Sequence, residues 1–229
     1  MKRNVPWLLW AWLSAVIVAA FHYAPTAKGF TGYDQPPGGD AGEASRILFF
    51  HVPMAWVSFV AFIAAGVWSL LYLAGKRQVR HDRSAQVAVE LGLLFGVLAT
   101  VTGAIWARFM WGAYWNWDPR QTSIVIALLF YAAYLALRAA VEDEPTRRRL
   151  AAAYAVLGLA VAPFLFFVLP RLGFTLHPDA VINTKGKVEV ESRMLQVLLA
   201  ASVGFTILFF WMHSLRRRIL DLAARGEEG

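Results

Sequence analysis

The chain has no cysteine, which excludes a disulfide framework, a cysteine-based zinc site and the C-x-x-C-H attachment motif. Charge is scarce as well. Only 16% of the 229 residues are charged and 59% are hydrophobic, against the roughly 45–50% apolar content of a soluble domain. A G-x-x-x-x-G-K-[ST] phosphate loop is missing, so any ATP hydrolysis linked to this chain falls to another subunit. The apolar runs hold no unpaired acid at their centres, Glu90 lying close to an end, and this argues against an ion or solute channel. Internal repeats are absent too.

What is present is long apolar sequence. Six segments, 6–24, 47–74, 86–107, 121–141, 150–170 and 194–214, reach or approach the length of about 20 residues that a helix needs to cross a bilayer. Backbone groups bare in lipid must bond internally, so the expected fold class is an all-α integral membrane protein, a single six-helix domain over 1–229. The first stretch is longer than a signal-peptide core and is expected to stay as a helix. The net charge of +7 sits in short clusters between the runs, such as Lys76, Arg77, Arg80 and Arg83, or Arg216, Arg217 and Arg218. This pattern reads as topology rather than nucleic-acid binding. Counted by side, 14 Lys and Arg fall with the termini and 8 opposite, which places both termini in the cytoplasm and loops 25–46, 108–120 and 171–193 outside. Gly29 to Gly42 should be irregular. Lys185-Gly186, between two β-branched stretches, reads as a small hairpin.

Aromatics are unevenly placed. Trp106, Trp111, Trp115 and Trp117, four of ten tryptophans, fall near one outer loop with Phe109 and Tyr114. A membrane-surface belt would spread over all helix ends, whereas this cluster concentrates on one loop as a platform for a flat apolar ring system. Trp111 and Trp115, four apart, would share a face of a short interfacial helix, with Gly112 allowing close approach of a ligand. Asp118, Pro119 and Gln121 have the types of an N-cap, first helical residue and N3, and Arg120 suits a carboxylate at the wet rim.

Of five histidines, His81 and His213 lie at inner ends and read as solvated or interfacial. His51, in Phe49-Phe50-His51-Val52-Pro53, is a titratable group at membrane depth, beside a proline that removes a helical hydrogen bond. His177 lies in the third outer loop, and His22, at the outer end of the first helix, is the rival candidate on the same side. A b-type cytochrome subunit for electron transfer, the alternative class, would place histidine pairs inside the bilayer, and here the helix centres contain none.

The run Trp111-Gly112-Ala113-Tyr114-Trp115-Asn116-Trp117-Asp118-Pro119-Arg120 resembles the tryptophan-rich WWD signature of haem-handling proteins in cytochrome c biogenesis. In length and flanking residues the chain resembles the cytochrome c maturation (haem exporter) protein C family. Tyr114 and Pro119 are closer to the related larger haem-handling protein of the two-component assembly system, which is the alternative within the group. The resemblance implies a haem-binding transport subunit of the bacterial inner membrane and not an enzyme. It would hold haem b, non-covalently and transiently, at the periplasmic face. It implies His51 and His177 as axial ligands of the iron, with Trp111, Tyr114, Trp115, Trp117, Asp118 and Arg120 around the ring. The implied partners are a periplasmic haem chaperone, an ATP-binding cassette ATPase with its membrane partner, and a small membrane subunit. Since a neutral imidazole is the ligand, acidification below the ordinary histidine value of about 6.5 is expected to favour release.

Overall fold

The computed structural model describes residues 5–27, 42–75, 78–177 and 190–226. The described residues form six α-helices, α1 (Val5–His22), α2 (Leu48–Ala74), α3 (Val79–Trp111), α4 (Pro119–Ala140), α5 (Glu144–Pro163) and α6 (Ser192–Gly226), and no strand. A 3-10 turn, Gly42–Ile47, leads into α2, and a π-turn, Phe164–Val168, followed by a 3-10 turn, Leu169–Arg171, prolongs α5. The hairpin expected around Lys185 and most of the Gly29 to Gly42 segment lie outside the described residues.

Five stretches, Gly42–Ala74, Val79–Trp111, Pro119–Ala140, Glu144–Arg171 and Ser192–Ala224, are long and apolar enough to cross a membrane. The helical multi-pass class expected from the sequence stands on these five. α1 is apolar but shorter. Its 18 residues rise about 27 Å at 1.5 Å each, just under a hydrocarbon core of about 30 Å.

Helix ends differ from the apolar segments wherever charge continues a helix. α3 begins at Val79 rather than residue 86, α5 at Glu144 rather than 150, and α6 runs on to Gly226 rather than 214. These extensions are tied across the bundle. Arg83 donates to Asp221 at 2.8 Å, Arg216 to Glu90 at 2.9 Å, and Arg138 makes a fork on buried Asp82 at 2.6 and 3.1 Å. Asp143 caps α5 by accepting from the Thr146 amide at 2.9 Å. Apolarity ends where the first charge appears, but a helix continues as long as its charges find partners.

α2 is central, packed on α3, α5 and α6, while α1 leans on α6. Its Phe62 stacks on Tyr131 of α4 at 3.6 Å, and the Tyr131 hydroxyl donates to the Gly158 carbonyl of α5 at 3.3 Å. A Cβ at Gly158 would lie 2.5 Å from that hydroxyl, so a small residue sets the approach of these helices. Trp12 of α1 donates to the Ala200 carbonyl at 2.9 Å. Arg46 donates to the Ala20 and Ala24 carbonyls at 2.5 and 3.2 Å, answering acceptors that the end of α1 leaves open. One histidine departs from the sequence expectation. His213 is 6% exposed, stacked on Trp68 at 4.4 Å, and its Nε2 lies 3.0 Å from the Ser84 carbonyl, because α6 packs this face on α2 and α3 at the end of its apolar run.

Candidate functional site

Where α2 and α4 begin and α3 and α5 finish, the helices part around a cleft of about 300 Å³. Its walls are mainly apolar, built from Ala55, Phe59, Ile124, Leu165 and Phe166, and its polar groups are few: His51, Thr100, Arg120, Gln121, Arg171 and His177 among them. Such a combination of apolar walls and a few convergent polar groups is usual in a ligand site.

His51 projects from the first turn of α2 onto α3. Its Nδ1 lies 3.0 Å from the Ala99 carbonyl and 3.2 Å from the Thr102 hydroxyl. A carbonyl only accepts, so Nδ1 carries the hydrogen and Nε2 keeps the lone pair. Room for the ring comes from Gly103, where a Cβ would stand 2.8 Å from Cε1 of His51.

His177 reaches the same cleft from the segment that follows α5, and Asp118 holds it there. The buried carboxylate of Asp118 accepts from Nδ1 of His177 at 2.8 Å, from the Thr175 hydroxyl at 2.8 Å, from the Leu176 amide at 2.7 Å and from the Arg120 amide at 2.9 Å. The last bond is the N-cap expected from the sequence, and the other three dock the 175–177 segment. Here too Nδ1 is the donor, which leaves Nε2 of His177 as the lone pair. Trp111 meets this ring edge-on at 4.9 Å, and Trp106 flanks it at 6.0 Å. Burial pushes the His177 imidazole down to about 4 although Asp118 pulls the other way. Burial tends to raise Asp118, but the hydrogen bonds from Arg120, Thr175 and Leu176 outweigh it and hold the carboxyl below its usual range.

The tryptophan loop is arranged differently from the interfacial helix expected. α3 ends at Trp111, with Gly112 in the left-handed region at φ 77° and its amide donating to the Arg108 carbonyl at 3.2 Å. Residues 112–118 are not helical, so Trp111 and Trp115 do not share a helix face. Trp111 supports His177, and Trp115 lines the cleft. Tyr114 and Trp117 face outward at 60% and 76% exposure. Trp117 takes φ 55°, an uncommon conformation for a residue with a Cβ. Gln121 pins this loop by accepting from the Asn116 amide at 2.9 Å and donating to the Tyr114 carbonyl at 3.3 Å. It therefore does not close a capping box on Asp118.

His51, His177, Trp115 and Arg120 thus line one cleft, Trp111 and Asp118 stand behind it, and Tyr114 and Trp117 are beside it. His22 is exposed at the end of α1 and is not part of the lining. Sequence reasoning missed Gly103, Thr175 and Arg171, which lines the cleft and donates to the Phe167 carbonyl. Gly103 and Thr175 carry no spacing signal. Arg171, at the end of an apolar run beside an outer loop, had the position of a rim charge.

The family model for "CcmC: Heme exporter protein C" matches residues 1–228. Among similar proteins, a "Heme exporter protein C" of Bradyrhizobium diazoefficiens is 34% identical over 96% of this chain and 82% of its own length. A "Putative cytochrome c biosynthesis ccmC-like mitochondrial protein" of Arabidopsis thaliana is 31% identical over 94% and 78%. The "Heme exporter protein C" of Escherichia coli K12 is 28% identical over 95% and 84%.

Proposed function

We propose a function from one premise: the chain belongs to the haem exporter protein C family. It is a haem-handling membrane subunit for cytochrome c biogenesis that receives haem as cargo in the His51/His177 cleft and passes it on. One observation supports this most. Two imidazoles from distant parts of the chain line the same cleft, each with Nδ1 held by an acceptor, so that Nε2 of each is the free lone pair. A metal-binding histidine characteristically donates its other nitrogen to a carbonyl or carboxylate, and two neutral imidazoles are a common axial set for haem iron. Apolar walls suit the macrocycle, and Arg120 and Arg171 suit its propionates. With no cysteine in the chain no thioether to haem can form, which supports non-covalent holding.

The charge count supports a direction: the cleft is at the end with fewer Lys and Arg, which we assign to the periplasm with both termini inside. Haem b would be collected there and delivered to a periplasmic chaperone, with a partner ATPase, its membrane partner and a small membrane subunit driving release. Reporter fusions after Trp117 and at the C-terminus should report outside and inside respectively. A cytoplasmic signal after Trp117 overturns the delivery side.

Haem titration into the purified protein tests the cleft. Trp115→Ala removes a lining ring and should weaken binding by about 1–3 kcal/mol. Trp117→Ala removes an exposed ring and should leave affinity nearly unchanged. Equal losses would mean that the rings act as a membrane belt and not as cleft walls. Gly103→Val should weaken haem binding too, by pushing the His51 ring off the Ala99 carbonyl, with expression and helix content kept.

The pH dependence differs from that of an ordinary imidazole. Because burial lowers His177 to about 4, the docked ring stays neutral well below 6.5. The docking it provides is full above about 6.5 and is drawn down only as pH falls from there toward 4. Haem affinity should therefore be the same within about twofold at pH 7.5 and 5.5. A tenfold loss by pH 5.5 would show that His177 titrates like a solvated imidazole.

A further inference from the structure

The other end of the bundle holds a second cleft that the haem reading does not use. It is lined by Arg80, His81 and Ser84 from the start of α3 and by His213, Ser214 and Arg217 from α6. Several of the described cations near this end are already answered by acids: Arg83 by Asp221, Arg216 by Glu90, Arg148 by Glu144, and Arg138 by Asp82. Arg80 and Arg217 have no acid partner among the described residues, and both face this cleft. His81 has a buried Nδ1 without a hydrogen-bond partner. α3 also starts here without a side-chain cap; its His81 amide bonds the Gln78 carbonyl at 2.9 Å, and the N-terminal end of the helix adds positive potential. The nearby acid, Asp82, is buried and engaged by Arg138 at 2.6 Å and Arg148 at 3.8 Å, so its charge is spent inside the protein. Trp68, stacked on His213, gives the cleft a rigid aromatic wall.

We propose that this cleft is an anion site for a phosphate group, held by the two guanidiniums and the His81 ring with the two serine hydroxyls beside them. Guanidinium forks match phosphate oxygens, and hydroxyls donate to those that remain. Two sources have this chemistry: the headgroup of an anionic lipid in the adjacent leaflet, and a soluble phosphate. A lipid source would fix the bundle in the leaflet at the end opposite the haem cleft.

The test is native mass spectrometry of the full chain in detergent, titrated with dioleoylphosphatidylglycerol or with dioleoylphosphatidylcholine, each with and without millimolar inorganic phosphate. The anionic lipid should be retained over the zwitterionic one. Arg80→Gln and Arg217→Gln should each reduce that retention about fivefold and together about twentyfold. Arg149→Gln removes an exposed charge at the same end but outside the cleft and should change it less than about twofold. Phosphate adducts lost in the double variant, without lipid selectivity, would identify the soluble source. Should the double variant fail to purify, Ser214→Glu, which places a carboxylate in the cleft, must give the same loss. Haem uptake at the far cleft should be unchanged in all these variants. The proposal is overturned if neither probe binds selectively, if Arg149→Gln loses as much as the pair, or if the double variant or Ser214→Glu keeps wild-type retention.

Discussion

His51→Ala and His177→Ala should each weaken haem retention by more than any other single change in the cleft. Loss of an outer-shell partner of a metal ligand costs about 10- to 100-fold, and loss of the ligand itself should exceed that. The two effects should not add. Each imidazole is anchored independently, His51 on the Ala99 carbonyl and His177 on the Asp118 carboxylate, but they would grip one object. Once one ligand is gone the other holds a loosely seated ring, so the double variant should lose little beyond the worse single. His22→Ala, at an exposed position away from the cleft, should behave as wild type. Haem content per protein after affinity purification, at matched expression, reads all four.

Asp118→Ala should give the second largest effect, for a different reason. One buried carboxylate serves the cap of α4, the Thr175 hydroxyl, the Leu176 amide and the His177 ring. Removing it costs a cap worth about 1 kcal/mol and leaves buried donors at about 1–3 kcal/mol each, part of which water recovers as the 175–177 segment lifts. A net loss of about 2–4 kcal/mol in docking follows. Haem affinity should drop about 10- to 100-fold because the ligand loses its orientation. Asp118→Asn separates the two roles. A single amide oxygen in place of Oδ1 can still cap α4 and accept from His177, but its NH2 replaces Oδ2 against the Leu176 amide and unseats the 175–177 segment that carries His177, so the thermal midpoint should recover more than haem affinity does. Equal recovery would mean that Asp118 acts only as a cap.

Much of this was legible from the sequence, and the boundaries of that legibility are physical. Apolar length located the helices because lipid forces backbone groups to bond internally, and it failed at the ends of α3, α5 and α6, where charges pair across helices that no single-segment reading connects. The Asp-Pro start of α4 was readable as local chemistry, yet the second use of Asp118, as the acceptor for His177, spans 59 residues and exists only in the fold. The same holds for His51, whose orienting partner is a main-chain carbonyl that has no identity in sequence. Trp115 and Trp117 look alike in the motif, and a left-handed turn at Trp117 sends them to different surroundings. His213 shows the converse error: a histidine beside arginines at a helix end read as solvated or interfacial, but stacking on Trp68 buries it.

The most direct measurement is the electronic absorption and electron paramagnetic resonance spectrum of the ferric haem-loaded protein, wild type beside His51→Ala, His177→Ala and His22→Ala. Two histidine ligands require a six-coordinate low-spin signal in wild type and in His22→Ala, and conversion to high-spin or loss of haem in each of the other two. A low-spin spectrum that survives His177→Ala, or one that His22→Ala abolishes, would contradict the assignment of the axial pair.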